Sequence, residues 1–295
     1  MKTLSFILKK LPFGIIWLLL GLGFFSCKPD PIMVELPAHE PKLVVASQVT
    51  PGNLLVVQVS KSFSTLAGSG DELTKDQDFL KTLAVEHARV EISYAGYTGT
   101  LRHLGSGIYI SRNLPEYFHQ SNTLQVKDSV SGLECSAATR LMPAVNFEHV
   151  KPVVKRTATD SLTYLEYTLA DPGPERNFFL ISVTAAGSRN VWPHKSFSAF
   201  QAPANEIFLV SDAQFKDGRY EGRERLMVRP NDTLVVGLSN ISEPYYRYLE
   251  LYRKSNSLMN QLTGEPVNLP TNIQNGFGFF TMHHPQAQVF TLNDW

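Results

Sequence analysis

The sequence predicts a mainly β protein with two folded domains and one principal α-helix. Short segments in which apolar and polar residues alternate recur along most of the chain. Clusters of Gly, Pro, Asn and Asp separate these segments, as expected for turns between strands. A helical period appears in one stretch, near residues 243–258. The length of 295 residues also exceeds that of a typical single domain.

Residues 1–26 have the pattern of an export signal. Three lysines precede an apolar stretch that runs from Gly14 to Phe25. This stretch is shorter than the roughly 20 apolar residues that a bilayer span requires, and its length suits the h-region of a signal peptide. Ser26 supplies the small residue that a cleavage site needs.

Cys27 stands directly after the apolar stretch, and we predict that it is lipidated. The stretch Phe24-Phe25-Ser26-Cys27 resembles a bacterial lipobox, in which the cysteine becomes the first mature residue and carries acyl chains. Each buried methylene contributes about 0.8 kcal/mol, so two or three chains anchor a protein stably. An uncleaved anchor helix and an ordinary signal peptide with an incidental cysteine are the alternatives. Residues 27–41 contain four prolines, which predict an extended tether.

The charge of the chain argues against some classes of partner. Removal of the signal takes away three lysines and no acidic residue, which leaves 24 basic and 27 acidic residues and a formal charge of −3. Nucleic-acid-binding proteins carry a basic excess, so the composition argues against nucleic acid as a partner. It also argues against electrostatic attraction to an anionic membrane surface. The second cysteine, Cys135, lies in a predicted strand and is interpreted as a buried structural thiol.

Residues 42–142 are predicted to form the first domain, an immunoglobulin-like β-sandwich. Apolar segments of strand length begin with "KLVVASQV" and "LLVVQVSKS", and a turn cluster separates the two. Hairpin signals follow at Ala95-Gly96 and at Ser131-Gly132. About seven strands with almost no helical period are typical of this architecture. Residues 64–81 interrupt the strands and predict a long loop that can include a short helix.

Residues 150–295 are predicted to form the second, β-rich domain, after a linker at residues 143–152. Its apolar runs "NFFLISVTA", "NEIFLVSD" and "DTLVVGLSNI" have the length of strands. In the principal helix, near 243–258, Ser242 is the candidate N-cap. The residues that share one helical face are Tyr245, Tyr248, Leu249 and Tyr252. We interpret this tyrosine stripe as the face that packs onto a sheet, with ligand stacking as the alternative.

The sequence contains no recognisable catalytic motif. A G-x-S-x-G elbow, an H-E-x-x-H zinc helix and a phosphate-binding loop are all absent from it. We therefore predict a non-enzymatic protein with no catalytic residue and no cofactor. Carboxylates in the loop 71–78 could bind Ca²⁺, but the EF-hand spacing is missing. His283 and His284 are adjacent, and neighbouring residues of a strand point to opposite faces, which disfavours chelation of one metal by both.

Five stretches together resemble the DUF4249 family of Bacteroidota outer-membrane lipoproteins, and the likeness covers most of the mature chain. In order they are "PKLVVASQVT", "VEISYAGYTGTLRHLGSGIYIS", "LVSDAQFKDGRYEG", "LSNISEPYYRYLELY" and "EPVNLPTNIQNGFGFF". Lys216 departs from the family pattern. The positions that match the last motif are Asn272, Ile273, Gly276, Gly278 and Phe280; those that match the third are Asp212, Phe215 and Gly218.

The resemblance implies a lipid-anchored binding or accessory subunit that works with a TonB-dependent outer-membrane receptor. Its ligand is unknown, and it contacts the membrane through the N-terminal lipid. The alternatives are a structural or assembly subunit of an envelope complex and a surface hydrolase. The residues after Cys27 are less acidic than typical surface-export signals, so the periplasmic and the cell-surface side of the outer membrane both stay open.

Turn residues dominate these motifs, which favours a scaffold or binding protein over an enzyme. Asn275-Gly276 and Asp217-Gly218 are predicted to form tight hairpins, because both pairs tolerate positive φ. Phe277 follows the first pair. Two interpretations of Phe277 are open: it closes the sandwich as a buried residue, or it is exposed and anchors a partner.

Overall fold

A computed structural model describes most of the chain from residue 40 onward. The described residues are 40–50, 52–63, 81–112, 114, 120–156, 161–186, 205–228, 232–255 and 268–292. The predicted signal peptide, Cys27 and the acidic loop 71–78 lie outside these ranges. Residues Glu40–Trp295 form one compact unit. Among the described helices, none is long and apolar enough to cross a membrane.

The described secondary structure is mainly β with one principal helix, which confirms the predicted fold class. The strands are β1 (Leu43–Val49), β2 (Leu55–Lys61), β3 (Ala88–Tyr94), β4 (Tyr97–Thr100), β5 (Arg102–Gly105), β6 (Ile108–Ser111), β7 (Ser121–Asp128), β8 (Glu134–Arg140), β9 (His149–Arg156), β10 (Ser161–Ala170), β11 (Phe178–Ala186), β12 (Asn205–Ser211), β13 (Arg219–Leu226), β14 (Thr233–Ile241), β15 (Ile273–Gln274), β16 (Gly276–Phe279) and β17 (Gln286–Thr291). The principal helix is α1 (Glu243–Ser255), and a 3₁₀ turn spans Asp212–Gln214.

The strands form four sheets. Sheet A has the order β16-β1-β2-β6-β5, and sheet B has the order β15-β8-β7-β3-β4. Sheet C has the order β13-β10-β9, and sheet D has the order β12-β11-β14-β17. β1 and β16 run parallel, and the other strand pairs described here are antiparallel.

Sheets A and B enclose the first core, which the period-2 pattern of their strands predicts. Alternate residues of β1 and β2 are buried, so that Leu43, Val45 and Val57 face residues such as Leu124 of β7. Cys135 of β8 belongs to the same core. Its burial raises the pKa of the thiol to about 11, which keeps it protonated and agrees with a structural role.

Sheets C and D enclose the second core. Leu165 and Leu169 of β10 pack in it with Ile181 of β11 and Val236 of β14. The predicted linker is shorter than expected, because β9 already begins at His149. Strand β10 pairs with β9 on one side and with β13 on the other, along almost its whole length.

Helix α1 covers the outer face of sheet D. Ser242 precedes the helix and its carbonyl accepts the Tyr246 N–H at 3.0 Å, so Ser242 occupies the predicted N-cap position. A third apolar cluster joins the helix to sheet D, and it also includes Phe279 of β16. Its buried members are Phe178, Leu180, Ile241, Tyr245, Tyr246, Leu249 and Phe279. The interpretation of the tyrosine stripe as a packing face is confirmed. Because Phe279 belongs to the first sandwich, the same cluster also connects the first sandwich to the second.

Strands β15 and β16 belong to the first sandwich although they come near the end of the chain. β15 pairs with β8 in sheet B, and β16 pairs with β1 in sheet A. The predicted domain boundary at residue 150 places this segment in the second domain. Its strands instead form an edge of sheet B and an edge of sheet A in the first sandwich. Phe280 and Met282, which follow β16, are buried in the first core, and their burial stabilises the segment in this position.

The two predicted tight hairpins have different outcomes. At Asp217-Gly218 the prediction is confirmed, since both residues have positive φ, 50° and 74°, and Lys216 pairs with Arg219. At Asn275-Gly276 it is wrong. Asn275 has a φ of 59°, but the strands on either side of it pair with different sheets rather than with each other. The turn carries the chain from sheet B to sheet A.

We predict that Gly278→Ala destabilises the protein much more than Gly218→Ala. Both glycines have positive φ, 97° and 74°, which costs an alanine about 1–2 kcal/mol. At Gly278 a Cβ would also overlap the carbonyl oxygen of Val45 in β1, which adds about 1–3 kcal/mol, whereas at Gly218 nothing lies within 4 Å. Equilibrium urea unfolding measures both changes. Equal losses for the two variants would contradict the close approach of β16 to β1.

Candidate interaction surface

Two side chains bind the backbone of Phe280 and Thr281, in the described segment 268–292. The amide of Asn272 pairs with the backbone of Phe280: Nδ2 donates to the carbonyl oxygen at 2.8 Å, and Oδ1 accepts the N–H at 2.9 Å. The Ser47 hydroxyl of β1 binds Thr281 in the same way, by accepting its N–H at 2.7 Å and donating to its carbonyl at 3.0 Å. These bonds satisfy backbone groups that would otherwise be buried without partners.

Glycines bring β16 against β1. A Cβ at Gly276 would lie 2.6 Å from the Leu43 carbonyl oxygen and 2.9 Å from Ile273 Cγ2. Larger residues at this position would separate the strands, because real Cβ atoms do not approach oxygen so closely. The family-like motif that includes Asn272, Ile273 and Gly276 therefore has a structural role.

Phe277 is the exposed aromatic residue of this segment. It is 46% exposed, while Phe279, two residues later, is only 4% exposed because helix α1 covers it. The interpretation that Phe277 closes the sandwich is wrong. Its exposure agrees with the other interpretation, that of a partner anchor.

Lys42 and Val44 surround Phe277 on the face of sheet A that points away from the first core. The Lys42 Nζ lies 5.5 Å from the ring centroid, within the range of a cation–π interaction. Val44 is the register partner of Phe277 across the parallel pair and is half-buried. We call Lys42, Val44 and Phe277 the Phe277 surface. Further half-buried apolar residues of β1, β2 and β6 continue on this face: Ala46, Val56, Ile108 and Ile110.

The two adjacent histidines do not meet at one site. His283 is 4% exposed, stacks on Tyr245 with ring centroids 6.2 Å apart, and has no hydrogen-bond partner for Nδ1 among the described residues. Burial, together with the neighbouring His284, lowers its pKa to about 4, so it is neutral at pH 7. His284 is instead half-buried, with Nδ1 3.4 Å from Asn53 Oδ1.

Metal binding receives no support from the described part of the chain. No group of three or more His, Cys, Asp or Glu side chains that could hold a metal ion occurs there. The candidate ligands of the loop 71–78 lie outside the described residues, as does Cys27.

Sequence reasoning did not identify two members of this region. Lys42 and Phe279 are remote from their partners along the chain, and neither lies in a local pattern that points to Phe277 or to helix α1. The signal that could have found them is the pair of glycines, because Gly276 and Gly278 on a short apolar segment indicate close backbone approach.

Comparison with known proteins identifies the family. The profile of a domain of unknown function, DUF4249, matches residues 29–288. The chain belongs to the DUF4249 family. No curated protein matches the sequence. A solved structure titled "Cytokine receptor complex - Crystal form 1A" is similar over 66% of this chain and 82% of that chain, at 9% identity and a TM-score of 0.24, and this likeness supports no inference about function.

We predict that His283→Phe reduces the acid sensitivity of this DUF4249 protein. The folded-state pKa of His283 is about 4 and the ordinary value is 6.5, so between these pH values the unfolded state binds a proton that the folded state does not. The histidine therefore lowers the free energy of unfolding as pH falls from 6.5 to 4, by up to about 3 kcal/mol. Phenylalanine can keep the stacking on Tyr245 and does not titrate.

Urea unfolding at pH 7.5 and 4.5 measures this effect. The loss of stability between the two pH values should be smaller in His283→Phe than in the wild type. His284→Gln is the matched control: it keeps His283 buried, and burial is the larger cause of the lowered pKa of His283, so most of the pH dependence should remain. An unchanged pH dependence in His283→Phe would show that His283 is not buried as a neutral residue.

Proposed function

We propose that this DUF4249 protein is a lipid-anchored, non-enzymatic accessory or binding subunit of the outer membrane, which associates with a TonB-dependent receptor through the Phe277 surface. The observation that carries the proposal is the exposure of Phe277 in a stretch where the nearest apolar side chains, Ile273, Phe279 and Phe280, are buried. The buried members account for the fold. Phe277 adds little to the fold, which favours a role in contact with another molecule.

The chemistry of the Phe277 surface suits a protein partner. Aromatic residues are frequent hot spots of protein interfaces, where their truncation costs 2 kcal/mol or more. Lys42 Nζ, 5.5 Å from the ring centroid, adds a positive charge beside the aromatic ring. The same face of sheet A also carries half-buried apolar residues of β2 and β6, namely Val56, Ile108 and Ile110.

The position of the predicted tether supports a partner in the same membrane. The predicted tether, residues 27–41, directly precedes Lys42 of the Phe277 surface in the sequence. An extended chain of this length reaches roughly 45 Å, at about 3.1 Å per residue. A lipid at Cys27 would hold the surface near membrane-embedded proteins and raise its effective concentration there.

The alternative is a structural or assembly subunit of an envelope complex. Such a protein would use the same apolar face, and the identity of the partner distinguishes the two functions. A surface hydrolase is the less favoured alternative, because the sequence contains no recognisable catalytic motif.

We predict that Cys27→Ala releases the protein from the membrane or leaves an uncleaved precursor. Without the thiol no acyl chain can be attached, and the anchoring free energy of the chains is lost. Membrane fractionation and the mass of the N-terminal peptide measure the outcome. Cys135→Ala is the matched control, since it removes the other cysteine, which is buried in the first core, and should leave membrane retention intact. Normal retention of Cys27→Ala with an unmodified N-terminus would refute lipidation.

We predict that Phe277→Ala weakens association with the partner at least about 10-fold and leaves the melting temperature nearly unchanged. Loss of an aromatic hot spot costs about 2 kcal/mol of binding, while truncation of an exposed side chain costs little stability. The measurement is quantitative affinity purification of the full-length protein from native membranes, with a thermal melt of each variant.

Leu104→Ala is the matched control for this experiment. Leu104 is 56% exposed on β5, at the opposite edge of sheet A, so its truncation removes a similar apolar side chain from outside the Phe277 surface. It should leave co-purification unchanged. If Phe277→Ala retains its partner, the surface is wrong. If the partner is a set of envelope proteins without a receptor, the assembly function replaces the accessory one.

A further inference from the structure

The outer face of sheet C carries a cluster of basic side chains. Leu165 of β10 is buried in the second core, so its neighbours Tyr164 and Glu166 lie on the face that points away from this core. Across the β10–β13 pairing, Arg225 is the register partner of Tyr164, and Arg223 is that of Glu166. Residues opposite each other in a sheet share a face, so both arginines lie on the outer face as well.

Strand β9 adds two lysines on the other side of β10. Lys151 is the register partner of Glu166, and Lys155 is that of Leu162. The side chains of both lysines and of both arginines are exposed to solvent. The members of this cluster, which we call the basic surface, are Lys151, Lys155, Tyr164, Glu166, Arg223 and Arg225.

The basic surface differs in charge from the rest of the molecule. It has four basic side chains and one carboxylate, a formal charge of +3, whereas the predicted mature chain has a formal charge of −3. Toward the other end of sheet C the charges balance. Arg219 Nε lies 3.1 Å from Glu148 Oε2, and Glu221 separates Arg219 from Arg223 along β13. The positive charge is therefore concentrated around Tyr164.

The single carboxylate does not neutralise the basic surface. Glu166 Oε2 lies 3.7 Å from Lys151 Nζ, and Glu166 Oε1 lies 3.5 Å from Arg223 Nε. Among the described residues, neither Lys155 nor Arg225 forms an ion pair. Like charges on one face of a sheet repel each other, which is unfavourable for folding. An acidic partner would relieve this repulsion.

An apolar strip lies between the two rows of basic side chains. Tyr164 is half-buried at its centre, and the Arg223 guanidinium carbon lies 4.3 Å from the ring centroid, within the range of a cation–π interaction. Val153 and Leu162, both half-buried, lie on the same face. Because β9 and β13 are two strand spacings apart, the lysines and the arginines flank this strip at a separation of roughly 9.6 Å between the strands.

We propose that the basic surface binds an extended acidic segment of a partner polypeptide, in which carboxylates occupy alternate positions. Arg223 and Arg225 are two residues apart on one face of β13, so they repeat at about 6.8 Å. Carboxylates at alternate positions of an extended segment repeat at the same distance. Arginine also binds carboxylates through two parallel N–H···O bonds, which favours these groups as ligands. The basic surface is on a different sheet from the Phe277 surface and does not depend on it.

A polypeptide segment fits the basic surface better than an anionic membrane does. Charges interact over about 8 Å at physiological salt, so a single extended chain above β10 is within range chiefly of the basic surface. A bilayer would face a much larger part of the molecule, whose formal charge is negative. The apolar strip can also contact the uncharged residues that alternate with the carboxylates of a polypeptide.

Calorimetric titration of the purified full-length protein with two synthetic peptides tests the charge and the spacing. The first peptide consists of four Glu-Thr repeats. The second has four glutamates followed by four threonines, so that an extended chain places only two of its carboxylates on each face. The first should bind at least about 3-fold more tightly than the second. Equal binding of the two peptides, or the absence of binding, would overturn the proposal.

A double variant, Arg223→Gln with Arg225→Gln, tests the residues. It should bind the first peptide at least about 10-fold more weakly, because two bidentate contacts are lost. Arg140→Gln is the matched control, since it removes the same charge from an exposed position on β8 of sheet B, and it should change binding less than about 2-fold. Thermal melts separate loss of the surface from loss of the fold. A folded double variant that binds as the wild type does would overturn the proposal.

The natural partner is tested with an aromatic photo-crosslinking residue in place of Tyr164, in the full-length protein in native membranes. The expected adduct joins it to an acidic segment of another polypeptide. The double arginine variant should reduce the yield of this adduct at least about 10-fold, and Arg140→Gln should leave it unchanged. An adduct with a lipid, an adduct between two copies of this chain, or the absence of an adduct would overturn the proposal.

Discussion

The parallel pairing of β16 with β1 is the interaction on which the rest of the structure depends. It requires two positions without a side chain, Gly276 and Gly278, because the carbonyl oxygens of Leu43 and Val45 occupy the space of a Cβ. Parallel pairs need a long connection between their strands, and here the connection is almost the whole chain. The second sandwich and helix α1 are thus inserted between the first and the last strand of sheet A.

This arrangement explains why an aromatic cluster lies between the sandwiches. Phe279 belongs to β16 but packs against Tyr245 and Tyr248 of helix α1, with ring centroids 5.3 and 5.0 Å away. The helix in turn covers Phe178 on sheet D. A single segment therefore closes the first sandwich and fastens it to the second. His283 lies at the end of the same cluster, where burial keeps it neutral.

The same pairing also decides that Phe277 is exposed. On sheet A, the strand that brings Phe279 under the helix leaves Phe277 in solvent beside Lys42, where the predicted tether ends.

The sequence by itself determined the elements whose cause is local. Alternation of apolar residues identified the strands, the spacing of Tyr245 and Leu249 identified the packing face of the helix, and Asp217-Gly218 identified its hairpin, because each depends on the conformation or the burial of neighbouring residues. Tertiary structure decided what Asn275-Gly276 does. The positive φ of Asn275 is compatible with a hairpin and also with a turn that carries the chain from one sheet to another. Here the strands on either side of the turn pair with β8 and β1, which are remote in the sequence, and this pairing decides between the two.

Exposure was likewise decided only by the fold. Phe277 and Phe279 occur in the same short apolar run, and no local property separates them. Helix α1 covers one and leaves the other in solvent, since the position of the helix is set by its packing on sheet D. A sequence pattern states which residues can be buried, and only the packing of distant elements determines which of them are.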